Sequence, residues 1–82
     1  MDFVAMITSF VKPLTTNQSA VIVKEVEGEE GALMFEVLVA AEDLGRVIGR
    51  EGRVANALRT IAYAAAIKEG FKIKLTFDSI PE

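Results

Sequence analysis

The chain has no cysteine and no histidine among its 82 residues. Disulfides, thiol nucleophiles, imidazole bases and the usual zinc ligand sets are therefore excluded, and most enzyme mechanisms lose their central group. The missing cysteine also suits a reducing compartment. Aromatic residues make up only 7% of the chain, with a single tyrosine, Tyr63. No apolar run approaches the roughly 18 residues that a membrane span needs, and the first residues show neither the basic start nor the cleavage site of a signal peptide. These absences lead us to expect a cytoplasmic protein without a membrane span, a metal or another cofactor.

What is present is enough apolar material to fold: 51% of the residues are hydrophobic, and no polar run is long enough to read as a disordered tail. A chain this short buries only about 60% of its unfolded surface and cannot build two cores, so one domain over residues 1–82 is expected. The net charge is −3, which as a sum repels a polyanion. The charges are unevenly placed, however. Through Gly45 only Lys12 and Lys24 stand against eight acids, whereas from Arg46 onward seven bases face Glu51, Glu69, Asp78 and Glu82. Screening over about 8 Å at physiological salt lets a local basic patch act on an acidic body. A solvated helix face is the bland alternative for such a cluster.

Patterning divides the chain into six elements. Asp2 suits an N-cap, and Phe3, Ile7, Phe10 and Val11 recur at helical spacing before Pro13 closes the segment. Residues 20–26 and 33–39 are rich in strand formers, with Gly28-Glu29-Glu30-Gly31 between them as a hairpin loop. Residues 42–48 form a short helix with acids in its first turn. A longer helix over 53–68 has Val54, Leu58, Ile61 and Ala65 on one stripe and ends at Gly70. Phe71, Ile73, Leu75 and Phe77 then alternate with polar residues as a strand. The order is helix, strand, strand, helix, helix, strand. The first two strands can pair antiparallel and the last can join in parallel through the helical crossover. We therefore expect an α+β fold with a three-stranded mixed sheet and helices packed on one face.

The chemistry gathers at the join between the two central helices. A loop with glycine at each end can turn sharply and bring its backbone near a ligand. The following helix starts at once, so its unpaired N–H groups attract an anion. Arg50 and Arg53 add charge, and Arg46 and Arg59 either extend the track or, for Arg59, only solvate the helix. Alone, a GxxG spacing denotes little more than a tight turn.

The stretch Gly45-Arg46-Val47-Ile48-Gly49-Arg50-Glu51-Gly52-Arg53 resembles the signature of KH domains, in which an apolar pair precedes a GxxG loop joining two helices. The element order resembles the type II KH topology. Size and the Arg59-Thr60-Ile61 segment are most similar to the bacterial single-KH-domain family often called KhpA. This resemblance implies binding of about four nucleotides of single-stranded RNA, clamped by the loop. It implies that Gly49, Arg50, Glu51 and Gly52 hold the sugar-phosphate track, flanked by Arg46 and Arg53. Val47, Ile48 and Val54, with residues 33–39, would form the apolar floor for the bases, the alternative for all of them being simple core. Val54 divides equally between groove and core, because its helix must also pack on the sheet.

No aromatic stands beside the loop, so weak base preference is expected. A lone weak site gains from multiplicity, and the resemblance implies a homodimer, or a heterodimer with a larger bacterial Jag/KH-containing RNA-binding protein, in the role of a small RNA chaperone or post-transcriptional regulator. Ile61 and Tyr63 are the interface candidates, because Ile61, Tyr63 and Ile67 cannot all face one sheet. Scattered exposed apolar residues are also ordinary. Two other classes compete: a protein-interaction adaptor on a KH scaffold with little nucleic-acid binding, and a metal-assisted enzyme on Glu29, Glu30, Glu42 or Asp43. The last lacks a base and a nucleophile, and no enzymatic activity is expected.

Overall fold

The computed structural model describes residues 2–28 and 31–81, so Glu29 and Glu30 of the expected hairpin loop lie outside the described residues. Helix α1 (Phe3–Val11) starts as its sequence suggests: the Asp2 carboxylate accepts a hydrogen bond from the Ala5 N–H at 3.0 Å, supplying one of the orphan donors of the first turn with a partner. Phe3, Ile7 and Val11, each four residues apart, form its buried face. Pro13 sits in the 3-10 turn Lys12–Leu14 that ends the helix.

Strand β1 (Ile22–Val26) is shorter than expected, because Gln18–Ala20 closes into a separate 3-10 turn. Strand β2 (Ala32–Val39), helix α2 (Ala41–Ile48), helix α3 (Arg53–Lys68) and strand β3 (Lys72–Ser79) follow. The sheet order is β1-β2-β3, with β1 antiparallel and β3 parallel to β2. Register aligns Val23 with Val37, and Leu33, Phe35 and Val37 with Ile73, Leu75 and Phe77. Residues so aligned share a face, and this is the face the helices cover. Phe35, Val37, Val39, Ile73 and Leu75 are buried on it, while Lys24, Lys72, Lys74 and Thr76 stand exposed on the other. The architecture is thus the expected two-layer α+β fold.

Two expectations about the core are corrected. Of the stripe Val54, Leu58, Ile61 and Ala65, only Leu58 is buried; the face of α3 that meets the sheet is Ala55, Leu58, Ala62 and Ala66. Small side chains let the helix axis approach the strands closely, so the alanines rather than the larger residues take the contact, and Ile61 remains 53% exposed. Phe71 lies before β3 instead of within it. It is half-exposed and packs edge-to-face on Phe3 with ring centroids 5.7 Å apart, while Phe3 meets Phe35 at 6.0 Å. The aromatic contact joins the start of α1 to the turn after α3.

This packing makes α3 sensitive to added volume. Ala62→Leu should destabilise by about 1–3 kcal/mol through overpacking, a large part of the roughly 4–12 kcal/mol expected of a domain this size. Ile61→Ala should change stability by no more than about 0.5 kcal/mol. Urea denaturation of both variants measures the contrast.

Candidate nucleic-acid interface

Helix α2 stops at Gly49, whose φ of 75° and ψ of 170° are open to glycine and strained for other residues. Space is lacking as well: a Cβ on Gly49 would lie 2.5 Å from Cγ2 of Val54 and 2.9 Å from its backbone nitrogen. The chain then makes one 3-10 turn, Arg50–Gly52, in which the Gly52 N–H donates to the Gly49 carbonyl at 3.1 Å. Glu51 adopts φ 57° and ψ 24°, left-handed without being glycine, which costs about 1–2 kcal/mol. Gly52 follows at φ 75° and ψ 14° and begins α3, with no side chain capping the helix. A tight left-handed turn thus delivers the start of a 16-residue helix whose first donors lack a side-chain partner, a geometry suited to an anion.

Arg46, Arg50 and Arg53 are exposed around this turn. Glu51 meets Arg53 at 3.7 Å, but both side chains are about three-quarters exposed, and such a pair holds weakly. Gly49, Gly52, Ile48 and Val54 are half-buried. Val54 both packs on the core and supports Gly49, so its two expected roles coincide.

Val47 is a correction: it is wholly buried and belongs to the core, since Asp43 and Val47, one turn apart, form the inward face of α2. A base cannot rest on it. The floor expected from residues 33–39 is corrected too, because β2 is the central strand and its apolar face is covered by the helices. The strand beside α3 is the edge strand β3.

Three side chains of α3 meet that edge. Arg59 donates from Nε to the Leu75 carbonyl at 3.3 Å and from a terminal nitrogen to Asn56 Oδ1 at 3.0 Å, with its guanidinium 5.1 Å above the Phe77 ring centroid. The Leu75 N–H donates to the Tyr63 hydroxyl at 3.3 Å. Arg59 is therefore docked on the strand and does more than solvate its helix. Tyr63 is half-buried against the strand edge, and Ile61 lies two residues away on a helix that turns 100° per residue. The two interface candidates consequently occupy different flanks of α3. Asn56 went unremarked in the sequence, although its spacing of three from Arg59 is the signal that joins them.

The first turn of α2 holds a buried carboxylate, Asp43, that the sequence offered as a helix-start charge or, in the enzyme reading, as a metal ligand. Asp43 accepts from the Thr16 N–H at 2.9 Å, the Thr16 hydroxyl at 2.8 Å and the Asn17 N–H at 3.0 Å. These bonds tie the segment between α1 and β1 to α2. The Thr16 and Asn17 amide donors, chiefly, hold the Asp43 pKa below its ordinary value, with smaller help from the Thr16 hydroxyl and the Arg46 charge and against the effect of burial. Three of the roughly four acceptor sites of this carboxylate are thus engaged, and among the described residues no three potential metal ligands cluster. No helix among those residues is long and apolar enough to cross a membrane.

Comparison with known proteins accords with this geometry. Residues 4–77 match the family model described as KhpA/KhpB, KH domain. The chain is 44% identical over 64 residues to an RNA-binding protein KhpA of Caldanaerobacter subterraneus subsp. tengcongensis, covering 78% of this chain and 84% of that protein. It is also 44% identical over 68 residues to the protein of that name in Clostridium perfringens, covering 83% and 89%. To that of Lactiplantibacillus plantarum it is 39% identical over 77 residues, covering 94% and 89%. Among solved structures it is similar to Era in complex with MgGDPNP and nucleotides 1506–1542 of 16S ribosomal RNA, with a TM-score of 0.67 and 19% identity. That match covers 98% of this chain and 31% of the Era chain, and at this identity it speaks to the fold.

Two outcomes test the build of the site. Gly49→Ala should lower the melting temperature more than Gly52→Ala, because the first adds a clash to the backbone strain while the second meets only Asn56 Nδ2 at 3.8 Å. Asp43→Asn should also lower it at neutral pH. Because the folded pKa of Asp43 is lowered from 3.8, its stabilisation is present above about that pH and is lost as the pH falls through the lower folded value. The gap in melting temperature between wild type and Asp43→Asn should therefore close in acid, below about pH 4, and thermal melts across a pH series measure it.

Proposed function

The chain belongs to the KhpA/KhpB family of KH domains, and from that premise we propose that it holds a short stretch of single-stranded RNA on the turn between α2 and α3. The observation that carries this is the uncapped start of α3, presented by a left-handed Gly49–Gly52 turn and ringed by exposed Arg46, Arg50 and Arg53. Backbone donors at a helix start with guanidinium groups nearby in the chain suit a phosphate. The names of its relatives, RNA-binding protein KhpA, support the same ligand.

The division of labour follows from the geometry. Gly49, Arg50, Glu51, Gly52 and Arg53 grip the sugar-phosphate chain, with Arg46 one turn behind. Ile48 and Val54 supply apolar surface beside the turn. The docked Arg59 and the Phe77 ring extend the binding track along the β3 edge. Few aromatics face this track, so sequence preference is weak and the protein acts in the cytoplasm as a small RNA chaperone or post-transcriptional regulator. A second site raises affinity through effective concentration, supplied by a homodimer or by a larger Jag/KH-containing partner. Ile61, half-exposed on the flank of α3 away from β3, suits such a contact better than Tyr63, whose hydroxyl is already engaged.

Replacing Arg50 and Glu51 together by aspartate should abolish RNA retention while the far-UV circular dichroism stays unchanged. Aspartate tolerates the left-handed region at position 51 at least as well as glutamate, so the variant keeps its fold. Unchanged retention would point instead to a protein-interaction adaptor. For the wild type, a site neutralising two or three phosphates should give a log-log salt slope of roughly −1.4 to −2.1.

A further inference from the structure

The side chain of Glu51 serves neither the fold of the turn nor its grip on a phosphate. Glu51 is the only non-glycine residue with a positive φ among the described residues, at 57°, a conformation that glycine or asparagine adopts with less strain. It is also the only acid between Asp43 and Glu69. Asp43 is buried and its carboxylate is engaged by Thr16 and Asn17. A phosphate arriving at Gly49–Gly52 therefore meets one exposed carboxylate on this stretch, and it stands on a residue that the backbone disfavours.

We propose that the Glu51 carboxylate is an internal competitor of the RNA phosphate. In the free protein it holds Arg53, the bound strand displaces it, and affinity is thereby set below what the turn and its arginines allow. The inference rests on the RNA binding proposed above: the backbone of Glu51 belongs to the grip, and its side chain opposes it.

The contacts of the turn have the form that competition needs. Glu51 Oε2 lies 3.7 Å from a terminal nitrogen of Arg53, with both side chains about three-quarters exposed. An exposed pair holds weakly, whereas a guanidinium matches a phosphate with paired, charge-assisted hydrogen bonds. The exchange therefore runs toward the strand. Arg46 and Arg50 make no salt bridge among the described residues, so of the arginines around the turn Arg53 alone is held. No side chain caps α3. The carboxylate thus engages the guanidinium and leaves the helix start open to an anion.

Once displaced, the carboxylate remains on the same short turn and repels the strand. Two unit charges roughly 5–8 Å apart in water change an affinity by about twofold to fourfold, and salt screens the effect. The competing account of Glu51 is a helix-start charge that complements the dipole of α3. That role acts on stability and leaves RNA affinity untouched.

The test measures binding of octaadenylate to the full chain by fluorescence anisotropy between about 50 mM and 200 mM salt, with a thermal melt of each variant. Glu51→Gln keeps the length of the side chain and removes its charge. It should bind about twofold to fourfold more tightly at the lower salt, with a log-log slope steeper by up to roughly 0.7, and the gain should shrink as salt rises. In an Arg53→Gln background the same substitution should gain less, because part of its effect is the release of Arg53. A gain from Glu51→Gly without one from Glu51→Gln assigns the effect to backbone strain and overturns the competitor. Weaker binding by Glu51→Gln makes the carboxylate a partner of the strand, and unchanged binding with a lower melting temperature makes it a helix-start charge. Either result overturns the inference, and the grip still stands if the Arg50, Glu51 double aspartate variant loses binding. If that double variant binds as wild type does, the grip and the competitor fall together.

Discussion

Strands β2 and β3 run parallel, and a parallel pair cannot be closed by a tight turn. The chain must leave the end of one strand, return along the covered face and enter the next from the same side. Here the return is made by two helices, and their join is squeezed into the Arg50–Gly52 turn. The α2–α3 junction is therefore a by-product of strand direction: it falls where the crossover reverses, with the start of α3 presented there. The same crossover lays α3 back along β3, which is the edge strand of the sheet, with β2 in its centre.

Such a turn works only if its two ends are held. One end is held by sterics, since Val54 fills the space a side chain at Gly49 would need. The other support is polar. Asp43 draws the Thr16 and Asn17 backbone onto α2, so α2 is anchored to the segment before β1 as well as to the sheet. A buried carboxylate is normally a liability, and this one is tolerated because three donors surround it. Glu51 is the point where the turn is strained, and that strain lies in the segment proposed to meet the ligand, as is common where a backbone must be presented rather than packed.

The electrostatic layout follows from the same arrangement. Acids dominate the chain before Arg46, and the later half of the chain carries the bases onto α3 and β3. The bases of α3 and of β3 divide between the two layers, since Lys72 and Lys74 stand on the sheet face away from the helices, and the charges around the turn are Arg46, Arg50 and Arg53. Arg59 ties α3 to β3 through its bond to the Leu75 carbonyl and its place over Phe77.

By itself the sequence determined the order of the six elements, the α1 cap at Asp2, the alternation of β3 and the glycine-bounded turn at the head of α3. Each depends on residues within a few positions of one another, where steric and hydrogen-bonding preferences act directly. Only the tertiary structure decided which flank of α3 meets the sheet, because Ala55, Leu58, Ala62 and Ala66 and the bulkier Val54, Leu58, Ile61 and Ala65 are both acceptable helical stripes. Close approach to the strands selected the smaller set. The burial of Val47, the engagement of Asp43 by residues about 27 positions away and the meeting of Arg59 and Tyr63 at Leu75 were likewise beyond local pattern. They arise where distant segments are forced together by the parallel sheet.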